Sequence, residues 1–86
     1  MEILENKNNV FIYKTNNLIC FMSYELSICR YNTKTKILIL TNNWCYSQTT
    51  IKQFKHFLTT YTDIKYENKK QFENEIKTNK NIKLIF

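Results

Sequence analysis

The residues best suited to chemistry in this 86-residue chain are its single histidine and three cysteines. A thiol mechanism needs a cysteine within hydrogen-bond reach of a histidine that a third group orients. Cys45 lies several residues before His56, which is expected on the polar face of a helix. A solvated imidazole and a packed thiol account for this pair without any chemistry, so the sequence predicts no catalytic residue and a protein that is not an enzyme.

Metal and cofactor sites are not indicated either. Cys20, Cys29 and Cys45 lack CxxC spacing, and together with one histidine they match no common zinc pattern. The chain contains no glycine, so it cannot form the Gly-rich loop that cradles a phosphate. Its carboxylates are scattered and give no paired acid and base. We therefore expect no metal and no cofactor.

Basic residues suggest binding rather than catalysis. Lys52, Lys55 and His56 fall on or beside the polar face of one predicted helix, and Arg30 and Lys36 from the preceding strands could extend this patch. Such a surface suits the phosphates of nucleic acid or an acidic protein. A lysine-rich face that only keeps the protein soluble is the alternative.

Aromatic residues supply a second candidate contact surface. Nucleic-acid-binding sheets stack bases on aromatic rings beside basic residues, whereas protein interfaces use Trp and Tyr as rigid anchors. Trp44 follows Asn42-Asn43 at an expected strand end and is the leading contact candidate, while the phenylalanines are expected in the core. The predicted partner-binding residues are Trp44, Tyr46, Lys52, Lys55, His56, Arg30, Lys36 and Tyr31.

The first half of the chain has the pattern of an antiparallel sheet. Residues 10–14 and 18–22 are predicted to pair as a hairpin across Asn16-Asn17, and residues 27–31 to form a third strand. Residues 36–41 contain an apolar run typical of a strand that is central or covered on both faces. Residues 82–86 are expected to close the fold as a strand on a sheet edge or on a partner, which gives about four or five strands.

The second half predicts two helices. Apolar residues at helical spacing indicate a main helix over about 48–62, for which Ser47 is a suitable N-cap. Asn68 and Gln71 fit a capping box for a short helix over about 69–78. No linker or repeat interrupts the chain. We therefore expect residues 1–86 to form a single α+β domain, an antiparallel sheet packed by these two helices.

Composition and charge narrow the setting. The chain has neither glycine nor proline, so turns that need a positive φ are expected to use asparagine. Its formal net charge is +6, and residues 30–65 hold six basic residues against Asp63 alone. The odd cysteine count and the acidic start indicate a reducing compartment, and no apolar run is long enough to span a membrane. We expect a cytoplasmic protein.

Two segments carry a family resemblance. Residues 23–29, which begin Ser23-Tyr24, and residues 44–58, which contain Tyr46-Ser47-x-Thr49-Thr50 at a helix entry, resemble short uncharacterised proteins of phages and mobile elements of low-GC bacteria. The similar stretch covers about residues 19–58. The resemblance implies a phage-like origin and a compact α+β fold, but no activity. Leu26 stands where that family's pattern has a small residue.

Three functional hypotheses follow from these observations. The leading one is a stoichiometric inhibitor of a host defence complex, such as a CRISPR–Cas effector, and its partner would be a host protein or nucleoprotein complex. The alternative is an accessory protein that binds single-stranded nucleic acid through a basic helix face and exposed aromatics. The third, a thiol or metal enzyme, is the least supported. A homodimer is compatible with the small core, whereas a membrane partner is not expected.

Overall fold

The computed structural model describes residues 1–85, which form one six-stranded sheet with two helices packed on it. Neighbouring strands follow chain order and pair antiparallel, except that the last two are parallel. The α+β fold predicted from the sequence is confirmed. The elements are β1 (Glu2–Lys7), β2 (Val10–Thr15), β3 (Leu18–Ser23), β4 (Leu26–Asn32), β5 (Leu38–Thr41), a 3-10 helix (Asn42–Cys45), α1 (Gln48–Tyr61), α2 (Lys69–Thr78) and β6 (Ile82–Ile85).

The sheet has six strands rather than the predicted four or five, because the sequence of β1 lacks the regular alternation by which a strand is predicted. Its pairing with β2 shifts between Ile3 and Glu5, and this bulge interrupts the alternation that would mark a strand. The predicted closing strand is confirmed as β6, which pairs with β5 at the sheet edge. Phe86, the last residue of that predicted strand, lies outside the described residues.

Asparagine occupies the turns of the first two hairpins, as the lack of glycine predicts. Asn8 and Asn9 have φ of 54° and 65°, and Asn16 has 53°. Elsewhere the prediction that asparagine would carry positive φ is incomplete. Tyr24 and Glu25 of the β3–β4 turn have φ of 50° and 66°, in a region where a Cβ crowds the neighbouring carbonyl. Bulky residues there are uncommon.

Both helices begin where the sequence predicts. The Ser47 hydroxyl accepts a hydrogen bond from the Thr50 backbone N–H at 3.1 Å and caps α1. The Asn68 side chain accepts from the Gln71 N–H at 2.8 Å and caps α2. In place of the full capping box, the Gln71 side chain accepts from the N–H of Glu67. Each cap satisfies a backbone group that the first helical turn leaves unpaired.

The core lies between the sheet and the helices and is built from aromatic pairs. Phe57 of α1 stacks on Phe21 of β3, with ring centroids 5.2 Å apart. Phe54, one turn earlier, meets Phe72 of α2 edge-on at the same distance. These three α-helical phenylalanines and Phe21 are fully buried. Such pairs add about 0.5 to 1.5 kcal/mol each beyond the area they bury.

The prediction that β5 is either central or covered on both faces is confirmed in its first form. The strand is central, between β4 and β6, but its two faces differ. Leu38 and Leu40 are fully buried beneath the helices, whereas Ile39 between them remains 36% exposed. The helices cover one side of the sheet, so an apolar residue at Ile39 faces outward. The apolar run of β5 therefore marks an uncovered surface rather than a second layer.

Candidate functional site

The face of the sheet turned away from the helices carries several apolar side chains, of which Ile39 and Ile85 are exposed. Register assigns its members, because residues that alternate with the buried Ile12, Phe21 and Leu40 must point the other way. One row across the sheet runs Tyr13, Cys20, Arg30, Ile39 and Lys83. We call this surface the open face. It carries Phe11, Tyr13, Cys20, Met22, Arg30, Ile39, Lys83 and Ile85.

Two aromatic rings lie side by side on the open face. Phe11 and Tyr13 occupy alternate positions of β2, and their ring centroids are 5.2 Å apart with an interplanar angle of 33°. Both residues are half-buried, so each keeps part of its surface accessible to solvent. A hydrogen bond with the Cys20 thiol raises the pKa of Tyr13, and the positive charge of Arg30 lowers it by a smaller amount. The phenol is therefore neutral at physiological pH.

Positive charge accompanies these rings. Arg30 stands two strands from Tyr13 in the same cross-strand row, and Lys83 stands at the end of that row. Both side chains are exposed. Among the strand residues described, these two are the charged members of the open face. Stacking surfaces and cations thus share one side of the molecule, an arrangement that can hold flat rings and phosphates together.

The basic residues of α1 occupy the other side. Lys52, Lys55 and His56 are exposed, as the polar face of this helix predicts. Arg30 does not extend their patch, because the sheet separates its side chain from the helix layer. Lys36 does not extend it either: it lines a separate depression together with Asp63, Lys65 and Glu75. The predicted single patch is thus divided into separate surfaces.

An unpredicted residue, Lys7 of β1, joins the α1 group. It lines a cleft of about 390 Å³ between β1 and α1 together with Lys52, Gln53 and His56. Gln53 accepts a hydrogen bond of 2.5 Å from the buried Ser23 hydroxyl, which fixes this part of α1 over β3. No local pattern could place Lys7 there, because its neighbours come from a helix far along the chain.

Glu5 lies in the same cleft and is held by α1. Its carboxylate accepts a hydrogen bond from the Tyr61 hydroxyl at 2.5 Å and contacts His56 Nε2 at 3.2 Å. The Tyr61 bond lowers the pKa of Glu5, and burial together with this bond raises the pKa of Tyr61 to about 12. His56 Nδ1 lies 3.4 Å from the Thr60 hydroxyl. The carboxylate–imidazole–hydroxyl order is that of a catalytic relay, but Thr60 is exposed and does not line the cleft.

A family model described as a family of unknown function (DUF8033) matches residues 2–74. The chain belongs to this DUF8033 family. The match takes in β1 to β5, α1 and the first part of α2, whereas Lys83 and Ile85 of the open face lie beyond it. No curated protein and no solved structure is significantly similar to the chain.

Further features of the DUF8033 chain concern membranes and metals. None of the helices formed by residues 1–85 is long and apolar enough to cross a membrane. Over the same part of the chain, no group of three or more His, Cys, Asp or Glu side chains is placed to hold a metal ion.

Two of the sequence-predicted contact residues of the DUF8033 chain are buried. Trp44 is 4% exposed, with its ring 5.2 Å from that of Phe72 and 5.7 Å from that of Phe54. Tyr31 is 2% exposed because β4 points it toward the helices. The expectation that these two face a partner is wrong for the single chain. Tyr46, by contrast, is 72% exposed.

The open face was only partly visible in the sequence. The sequence singles out Arg30, but it predicts Phe11 in the core and does not distinguish Tyr13 or Lys83 as contact residues. The signal that could have identified the aromatic pair is their alternation with Ile12, which is fully buried. In a strand covered on one side, the residues that flank a buried position point toward the other face.

Proposed function

We propose that this DUF8033 chain is a non-enzymatic cytoplasmic protein that binds single-stranded nucleic acid on its open face. The observation that carries the proposal is the pairing of Phe11 and Tyr13 with Arg30 on one uncovered side of the sheet. Unpaired bases stack on aromatic rings without regard to sequence, and nearby cations meet the backbone phosphates. The net charge of +6 favours the approach of a polyanion.

The location of the rings decides between two basic surfaces. Phe11 and Tyr13 share a face with Arg30 and Lys83, whereas Lys52 and Lys55 lie on the helix layer. A short single strand cannot reach both sides of the molecule at once. Since stacking contributes about 1 to 3 kcal/mol per base, the proposal places the ligand on the side that has the rings.

The test compares two double variants that reverse two positive charges each and so change the net charge of the protein by the same amount. Arg30→Glu with Lys83→Glu alters the open face, and Lys52→Glu with Lys55→Glu alters α1; all four side chains are exposed. Fluorescence anisotropy with a labelled single-stranded oligonucleotide should show a loss of about tenfold or more for the first pair and a smaller loss for the second. The affinity of the wild type should fall steeply between about 50 and 200 mM salt, because bound counterions are released.

The opposite result would move the site. A larger loss in the α1 variant would assign binding to the helix, and absence of salt-sensitive binding in the wild type would contradict nucleic-acid binding altogether. Phe11→Leu tests the contribution of stacking apart from that of charge, because leucine keeps an apolar side chain on the open face but has no ring. It should weaken binding about tenfold without altering the salt dependence.

A second candidate is the stoichiometric inhibitor of a host defence complex such as a CRISPR–Cas effector. Aliphatic side chains favour it: Ile39 and Ile85 are 36% and 50% exposed on the open face, where they cannot stack with bases as rings do. Exposed apolar surface of this kind suits a protein partner. Titrating a purified effector should then abolish its nuclease activity near one equivalent, and Ile39→Lys with Ile85→Lys should restore it. Full activity at excess inhibitor would reject this candidate for that effector.

A further inference from the structure

Two hairpin turns meet at one end of the open face. The backbone N–H of Tyr24, in the β3–β4 turn, donates a hydrogen bond of 2.9 Å to the carbonyl of Asn9 in the β1–β2 turn. A depression of about 220 Å³ lies beside this contact. It is lined by the apolar or aromatic residues Val10, Phe11, Met22 and Tyr24 and by the polar residues Asn6, Asn9 and Glu25.

The β3–β4 turn is built from residues that do not suit its backbone. Tyr24 and Glu25 both have positive φ, where Asn-Gly is the favoured pair in a two-residue hairpin. In the β1–β2 turn, the two positive φ values belong to Asn8 and Asn9. Tyr24 is also 51% exposed, so its ring gains little from packing in the single chain. Tyr24 and Glu25 therefore line the depression although their Cβ atoms are crowded in this turn conformation.

The chemistry of the depression fits a flat ring with a polar edge. Phe11, Met22 and Tyr24 provide apolar surface, whereas Asn6 and Glu25 provide hydrogen-bonding groups. Its volume is below the roughly 300 Å³ at which pockets for drug-sized molecules begin, so it suits a single ring system. Phe11 also belongs to the aromatic pair of the open face, which makes the depression continuous with the proposed binding surface.

We infer that this turn depression holds one unpaired base of the bound strand and that Glu25 selects bases carrying an exocyclic amino group. The inference rests on the proposed function and adds a selectivity to it. A carboxylate accepts hydrogen bonds from the amino group of cytosine, as it does in the major groove of DNA. Thymine presents a carbonyl oxygen at that position, which a carboxylate repels. The strand then continues across Phe11 and Tyr13 toward the cations of the open face.

Oligo-dC and oligo-dT of equal length test the inference, because both are pyrimidines and differ at the group that Glu25 would contact. Anisotropy titrations of the wild type should give at least threefold tighter binding to oligo-dC. Glu25→Gln should bring the ratio of the two affinities close to one. Glu73→Gln is the matched control, since it removes the same charge from an exposed position on α2 and should leave the ratio unchanged.

A second variant keeps the test independent of folding defects. Tyr24→Asn suits the positive φ of the turn and removes the ring, so it should raise the thermal midpoint while weakening oligo-dC binding about tenfold. Equal affinity of the wild type for oligo-dC and oligo-dT would overturn the base-selective depression but leave the proposed function standing. Absence of binding to both oligonucleotides would overturn both, and full affinity in Tyr24→Asn would exclude Tyr24 from the contact.

Discussion

The Tyr61 hydroxyl donates a hydrogen bond of 2.5 Å to the Glu5 carboxylate and so ties the end of α1 to the edge strand β1. Tyr61→Phe removes this bond and should lower the free energy of unfolding by about 1 kcal/mol. Tyr66→Phe is the matched control, because the Tyr66 hydroxyl is buried without a hydrogen-bond partner among residues 1–85. That change should be neutral or slightly stabilising. Urea unfolding of both variants checks the contrast, and equal losses would contradict it.

The same contact makes stability depend on acid. Hydrogen bonding from Tyr61 holds the pKa of Glu5 below its ordinary value of 4.5, so the folded state favours the ionised carboxylate. The resulting stabilisation is present above pH 4.5 and is lost as the pH falls through the lowered folded-state pKa. Glu5→Gln should therefore be less stable than the wild type at neutral pH, and the gap should close in acid. Denaturant titrations across this range measure it; a gap that persists at low pH would assign the loss to packing.

Replacing the tryptophan tests the packing of the 3-10 helix. Trp44 contacts the rings of Phe54 and Phe72, so Trp44→Ala should leave a cavity and cost about 3 to 5 kcal/mol. A domain of this size has little more than that to lose. Tyr46→Ala, two residues further on and largely exposed, should change the unfolding free energy by less than about 0.5 kcal/mol. Circular dichroism and thermal melts distinguish a folded from an unfolded variant, and a normally stable Trp44→Ala would contradict the core assignment.

The turn before β5 offers a stabilising substitution. Lys36 has φ of 64°, while its N–H donates to the Asn32 carbonyl at 2.8 Å. Lys36→Gly should relieve the crowding of the Cβ and raise the unfolding free energy by about 0.5 to 1 kcal/mol. Lys34→Gly, in the same turn but without a positive φ, should lower it by a similar amount, since glycine only adds freedom to the unfolded chain. Thermal midpoints that move in the same direction would contradict the role of φ.

Local patterns were sufficient for the helices. Ser47 and Asn68 each cap a helix through a side chain that bonds a backbone N–H three residues later, and both signals are contained in a few consecutive residues. The apolar stripe of α1 likewise has its own period. Strands β2 and β3 are also predicted from β-forming residues on either side of the Asn16-Asn17 turn, and β4 from its alternation, whereas the bulged β1 is not predicted.

Distant contacts explain what the sequence did not reveal. Trp44 is buried because Phe72, which belongs to the second helix, packs against it. The apolar sequence around Ile39 predicts a core residue, but Ile39 is partly exposed because the helices cover only one face of β5. Arg30 and the α1 lysines likewise lie on opposite sides of the sheet because the helices pack on the face that Arg30 does not share. Each of these facts concerns the assembly of layers, for which no window of neighbouring residues contains the information.

The parallel pairing of β6 with β5 has a consequence for how the molecule assembles. Strands β1 to β4 are joined by short hairpins, whereas β6 reaches β5 only after residues 42–81 have folded back through both helices. Closing that long loop costs chain entropy before any ladder bond forms, so this strand should dock late and open early. Backbone amides of β6 would then exchange with solvent deuterium faster than those of β3, and transient release of β6 would expose the backbone edge of β5 to pairing with another chain.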